Sequence, residues 1–346
     1  LYTRREYVDQ GGSVAKCLWA MNQDGSGSVE IYGNNIAYPP TLIFGRPIPG
    51  RPSEYVVLGT PHMPATVGTV IRLDMTKNIR TRDPMIYMTP GVDIRGERGW
   101  KYFVGGERMP DKLGSGGKGS GLPLFRDPFP LSRALFLVSH KPIGESYAHP
   151  SAYGLYVLNE EGGTSLIYKD ETSSCWQPIP LRPRKKPPVA MGSTDQELAK
   201  KKLATCVVTD IYHGMENVER GTIKYIRVLE QVPRPWAARR RWKGDVYGQQ
   251  HAVISDRTHL GLKVQHGIVP VEEDGSAHFV VPAMANIFFQ ALDENHMAVQ
   301  TERTYVNYMP GETRSCIGCH ETPNDALANT TRQTPFALTR QASVPG

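Results

Sequence analysis

Three short apolar runs in this chain stop on Asn or Asp and pass at once into a turn. Leu18-Trp-Ala-Met-Asn22 leads into Gln-Asp-Gly25, Val70-Ile-Arg-Leu-Asp74 closes the same way, and Leu155-Tyr-Val-Leu-Asn159 leads into Glu-Glu-Gly162. A strand of this length that ends on a turn-forming side chain folds back on itself, so each phrase reads as a β-hairpin. Recurrence at blade-like intervals points to a β-propeller over residues 1–180, with a sandwich of similar hairpins as the alternative. The intervals are uneven because Asp93 to Pro130 reads as an inserted loop. A blade needs roughly 40–45 residues, so this stretch predicts part of a propeller and not a closed ring. The 34 glycines and 28 prolines among 346 residues favour the same outcome, many short strands and turns over long helices.

Residues 181–203 read as a connection. Pro178 to Pro188 is proline-rich and favours extended, semi-rigid backbone. Thr194 to Leu203 predicts a short helix, with Thr194 as N-cap and Glu197 completing a capping box. A second β-rich domain, sandwich-like, is expected over residues 204–325. Leu260, Leu262 and Val264 alternate with polar neighbours, and Asp274-Gly275 marks a hairpin into His278–Val281. Ile287–Leu292 is a strand and Asp293–His296 a turn. Met297 onward forms another strand, which Tyr305–Tyr308 continues and Pro310-Gly311 breaks. Residues 326–346 are polar and weakly patterned, as a linker towards a further domain would be. The fold class is therefore mainly β: a partial propeller followed by a sandwich-like domain.

With 39% hydrophobic and 21% charged residues the chain can bury real cores. No apolar run approaches the roughly 20 residues that span a bilayer, so no transmembrane segment is expected. The net charge of +6 is spread out apart from Arg182–Lys186 and Arg239–Lys243. Those runs sit among prolines or tryptophans and read as solvated faces, which does not point to nucleic acid. The chain opens Leu1-Tyr-Thr-Arg4 with neither an initiator Met nor a secretory apolar stretch, as a processed or trimmed protein would. Five cysteines, two of them close together, do not make a disulfide framework.

Those two carry the chemistry. Cys316-Ile-Gly-Cys319-His320 fits the C-x-x-C-H pattern of covalent haem attachment. Two thiols at this spacing reach the vinyl groups on one edge of a single porphyrin, and the adjacent imidazole swings beneath the ring to the iron. Gly318 is expected to help the tight turn. One haem c is therefore predicted, with Cys316 and Cys319 as thioethers and His320 as axial ligand. Zinc would want a second ligand pair, and Cys17, Cys175 and Cys206 stand far apart in sequence. A thioredoxin-like thiol pair would want a βαβ setting. Both alternatives, and chance, stay open on spacing alone; calcium has no motif of its own here.

For the sixth iron position the sequence offers Met297, Met309, His278, His296, Tyr305 and Tyr308, each more often a packing or surface residue than a ligand. A His/Met pair would suit an electron carrier, and a vacant position would suit chemistry on a small molecule. Cys175, beside Trp176, is a buried thiol or else an extra metal ligand. Gly114–Gly121 lacks the Ser or Thr that a phosphate loop carries after Lys118, and it reads as a plain loop. His251, His259 and His266 have spacings that no single strand presents on one face.

Longer segments resemble a known family. Glu272–Phe279, Phe289–Asn295 and Pro310–Glu321 resemble the middle domain of hydrazine synthase alpha-subunit-like proteins. Ala37-Tyr-Pro-Pro40, Arg46-Pro-Ile-Pro49 and Ser174–Pro183 resemble the propeller of the same proteins and its exit. They are secreted bacterial multidomain proteins, and many continue into a further cytochrome c domain. The resemblance implies haem c, a periplasmic or otherwise extracytoplasmic location, and a redox partner protein or further cytochrome domains. In hydrazine synthase itself the corresponding haem is ligated by a tyrosine just after the motif, with the motif histidine diverted to zinc. No Tyr follows His320 in this chain. That departure implies conventional ligation by His320 and a c-type cytochrome module for electron transfer or redox chemistry. A hydrazine-synthase-like oxidoreductase with five-coordinate haem, and a non-catalytic propeller scaffold with a structural metal, are the alternatives.

Overall fold

The computed structural model describes residues 1–5, 16–34, 36, 39–60, 66–90, 92, 103–104, 107–108, 123–183, 194–232, 263–302, 305–319 and 334–346. His320, His251, His259, Leu260, Leu262, the Gly114–Gly121 loop and the Arg239–Lys243 run lie outside them. The chain divides into two compact units, the first mainly residues 29–188 and the second mainly residues 189–346, with residues 21–28 belonging to the second.

The first unit is built of β1 (Tyr2–Arg5), β2 (Lys16–Ala20), β3 (Val29–Tyr32), β4 (Thr41–Pro47), β5 (Glu54–Thr60), β6 (Thr69–Asp74), β7 (Met85–Tyr87), β8 (Phe103–Val104), β9 (Glu107–Arg108), β10 (Leu124–Pro130), β11 (Leu135–Lys141), β12 (Gly154–Asn159) and β13 (Thr164–Tyr168). β4 to β7 and β10 to β13 are four-stranded antiparallel meanders in chain order, the shape of a propeller blade. The strand-ending Asn and Asp side chains close their turns as expected: Asn159 Oδ1 accepts the Gly163 N–H (2.7 Å), and Asp74 Oδ1 accepts the Thr76 N–H (3.0 Å). β5 is apolar on both faces because both are covered. Val56 and Leu58 pack with Phe125, Phe136, Val138 and Leu158 of the other meander. Val57 packs with Leu18, Tyr32, Ile71 and Leu73.

The second unit begins with α1 (Gln196–Lys200). Its N-cap is Asp195 and not Thr194, because the Asp195 carboxylate accepts both the Glu197 and Leu198 N–H groups. There follow β14 (Leu203–Val208), β15 (Tyr225–Gln231), β16 (Lys263–Pro270), β17 (Ala277–Pro282), β18 (Asn286–Leu292), β19 (Ala298–Thr301), β20 (Val306–Asn307) and β21 (Thr313–Cys316). One sheet runs β17-β14-β21; the other runs β16-β15-β18-β19, with β20 also on β18. Between them lies a core that joins Cys206, Val208, Phe279 and Val281 to Ile226, Val228, Ile287, Phe289 and Ala291. That is a sandwich.

Two expectations change here. Asp274-Gly275 turns the chain as predicted, with Gly275 at φ +85°, but β16 and β17 belong to different sheets. The turn is a crossover between layers and not a hairpin. Residues 334–346, read from sequence as a featureless tail, lie along the three-stranded sheet. The Phe336 N–H donates to Asp274 Oδ2 and the Ala337 N–H to Ser276 Oγ. Ser343 bridges Phe279, and the Ile268 N–H donates to the Gly346 carbonyl (3.2 Å). Gly267, at φ +140°, leaves room for this: a Cβ there would stand 2.7 Å from the Gly346 nitrogen.

One hydroxyl gathers several of the bonds in the turn after β14. Tyr212 Oη accepts the N–H groups of Gly221 (2.8 Å) and Ile223 (2.9 Å) and donates to the Ile223 carbonyl (3.2 Å). Tyr212→Phe orphans these partners and is expected to cost about 1–3 kcal/mol, read as a lower denaturant midpoint with unchanged slope.

Candidate functional site

The cysteine segment is fixed to the fold by a parallel ladder. β21 pairs with β14 in the register Thr205↔Thr313, Cys206↔Arg314, Val207↔Ser315 and Val208↔Cys316. The pairing continues beyond both strand ends. The Thr209 N–H donates to the Cys316 carbonyl (3.0 Å) and the Asp210 N–H to the Ile317 carbonyl (2.9 Å). Thr209 Oγ1 donates to the same Ile317 carbonyl (2.9 Å). Upstream, the buried Glu312 carboxylate accepts the N–H groups of Met309 and Gly27, each at 2.8 Å. Pro310-Gly311 separates β20 from β21 and delivers the chain to the three-stranded sheet.

Gly318 has a different role from the one expected. Its φ does not lie in the left-handed region, so the turn itself does not demand glycine. The demand comes from close packing: a Cβ on Gly318 would stand 2.2 Å from the His213 carbonyl oxygen and 2.7 Å from the His213 Cβ. The second of the two residues between the thiols is small because the turn after β14 lies directly against it.

Cys316, Gly318 and Cys319 line one wall of a cavity of about 390 Å³, a volume that includes its opening to solvent. Val208, Ile211, Ile226, Phe289 and Ala291 supply apolar lining, and Glu302 supplies a carboxylate. Behind Cys316 lie Cys206 and Tyr308, both fully buried. The Cys206 thiol is pushed well above the usual range, first by its hydrogen bond with Cys316 and then by burial. Burial, followed by the charges of the two thiols, likewise pushes up the Tyr308 hydroxyl. Among the described residues that hydroxyl has no nitrogen or oxygen partner, and it rests against Cys206. All five cysteines are unbridged.

The sixth-position candidates separate cleanly. Tyr308 joins the cysteine cluster. His278 pairs with Val207, so it faces away from the side that carries Cys206, Val208 and Phe279. Tyr305 packs on Phe288, across β18 from the cavity-lining Phe289. His296 and Met297 sit in the β18–β19 turn, where Met297 is 66% exposed. Met309 packs against Gly25, whose added Cβ would meet its sulfur at 3.1 Å. Cys175 lies in the first unit, half-buried, its N–H donating to the Tyr153 carbonyl (2.9 Å). His266 pairs with Glu230 at 2.8 Å on the sheet surface. Among the described residues no three His, Cys, Asp or Glu side chains gather as a metal-holding group, and no helix is long and apolar enough to cross a membrane. Sequence reading missed Cys206 and Glu302. The β14–β21 pairing brings Cys206 to the motif, and bonds to Phe289 bring Glu302 to the cavity.

Residues 221–321 match the family model described as the hydrazine synthase alpha subunit middle domain. Hydrazine synthase subunit alpha of Kuenenia stuttgartiensis is 26% identical over 241 residues, covering 59% of this chain and 28% of that protein. The solved structure of Kuenenia stuttgartiensis hydrazine synthase aligns with a TM-score of 0.69 at 18% identity, over 95% of this chain and 43% of that one. The chain is thus hydrazine synthase alpha-like, with a mainly β fold in common, and spans less than a third of that curated relative.

Gly318→Ala is expected to destabilise the folded chain by about 1–3 kcal/mol, because His213 presents backbone and cannot rotate away. Chemical denaturation reads it directly. In the haem-free chain, iodoacetamide under native conditions is expected to label Cys175 and Cys319 while sparing the fully buried Cys17 and Cys206. Peptide mass mapping distinguishes the four sites.

Proposed function

We propose that this hydrazine synthase alpha-like chain is an extracytoplasmic c-type haem module, with Cys316 and Cys319 forming the thioethers and His320 ligating the iron. The observation that carries the reading is the shared position of the two thiols on the wall of one mostly apolar cavity. The donor set fits the group: paired thiols to add across vinyl bonds, and Val208, Ile211, Ile226 and Phe289 to lay apolar surface beside the edge the thiols would hold. A bound haem would supply one-electron redox chemistry. The chain's own residues supply the mounting. β14 and the following turn hold the attachment segment by main-chain hydrogen bonds, and Gly318 lets that turn close on it.

The leading role is electron transfer, or redox chemistry within a larger multihaem protein or complex, with a redox partner protein or further cytochrome domains receiving the electron. The relative's printed name makes it a subunit of hydrazine synthase, and this supports a second reading. In that reading the chain belongs to an oxidoreductase acting on small nitrogen compounds at a five-coordinate haem. Spin state separates the two: a low-spin, six-coordinate spectrum supports electron transfer, and a high-spin spectrum that responds to carbon monoxide supports catalysis.

Protein matured with a haem-attachment system is expected to stain for haem peroxidase on a denaturing gel and to gain roughly 616 Da in intact mass, since a thioether-linked porphyrin with its iron survives denaturation. C316A with C319A should lose both signals. Matured wild type showing neither signal would sink the haem reading and leave the scaffold role.

A further inference from the structure

Among the described residues lining the cavity, Glu302 is the one carboxylate. It follows β19 directly and is tied twice to the neighbouring strand. Its N–H donates to the Phe289 carbonyl (3.0 Å), and its Oε2 accepts the Phe289 N–H (3.2 Å). Phe289 is itself set in the core, edge-on to Phe279 at 5.5 Å. The carboxylate therefore has a fixed place in an otherwise apolar wall. Its negative charge reaches into the cysteine cluster, where it contributes to raising both Cys206 and Tyr308.

A partly buried charge in such a wall is screened less than one in open water. Gln would offer the Phe289 N–H the same kind of acceptor, so that hydrogen bond calls for an oxygen but not for a charge. What a fixed anion does beside a redox group is bias its two charge states: one more electron is harder to add.

We propose that Glu302 sets the reduction potential of the haem held at Cys316 and Cys319, its carboxylate favouring ferric over ferrous iron. The proposal rests on the haem reading given above. It makes Glu302 a positioning residue for charge, one that acts on the iron through space without ligating it.

The test is an optical redox titration of the full, haem-matured chain near neutral pH, comparing wild type with E302Q, E302A and E302D. E302Q and E302A are expected to move the midpoint in the positive direction, while E302D, which keeps the charge, stays close to wild type. If E302Q does not accumulate as folded protein, E302A against E302D gives the same comparison. The proposal is overturned if all variants share the wild-type midpoint. It is equally overturned if E302D moves as far as E302Q, which would assign the effect to packing. A wild-type pyridine haemochrome spectrum without covalent haem would overturn the proposed function and this inference together. Haem present with an unmoved midpoint would overturn this inference alone.

Discussion

The parallel pairing of β14 with β21 is the constraint on which the rest of the second unit depends. Antiparallel neighbours can be joined by a tight turn, but parallel neighbours need a long crossover. Here the crossover is most of the domain: β15 to β20 are all laid down between the two strands. The cysteine segment can dock only when that sandwich exists to receive it, and its ladder then closes the three-stranded sheet. The site is thus a product of the completed fold and not of a local motif.

This explains what the sequence made legible and what it hid. The hairpins at Asn159 and Asp74 could be read because the signal and the structure it produces are neighbours in the chain. So could the closeness of the two thiols, which line one cavity because only two residues separate them. The Asp274-Gly275 turn was half legible: a turn residue announces a reversal, but not whether the next strand returns to the same sheet. Cys206 was not legible because the β14–β21 pairing that recruits it spans a domain, and Glu302 was not because nothing in its own surroundings marks the side of the β18–β19 hairpin it takes. The tail at 334–346 was hidden for a related reason. An added edge segment is held by main-chain hydrogen bonds, as at Ser343, and those leave little trace in side-chain pattern.

Gly318 is small for a reason other than the one its setting in the sequence suggests. Glycine between the thiols suggested a backbone in need of freedom. The structure shows a backbone in need of space, because the His213 carbonyl occupies the place a Cβ would take. The distinction matters for substitution. A conformational glycine tolerates Asn in part, whereas a packing glycine tolerates nothing larger.

The clamp on the Cys316–Cys319 turn has a consequence for direction. Main-chain bonds from Thr209 and Asp210 on one side, and the contact at His213 on the other, leave the two sulfurs little independent motion. A group fastened at both would take its heading from the sheet, as a sign takes its heading from the wall it is bolted to. Tilting β14, by a change as remote in sequence as Ala204 or the α1 cap, would then turn the group's face relative to anything that approaches it. For the flat haem proposed above, heading would be as much a property of the fold as position.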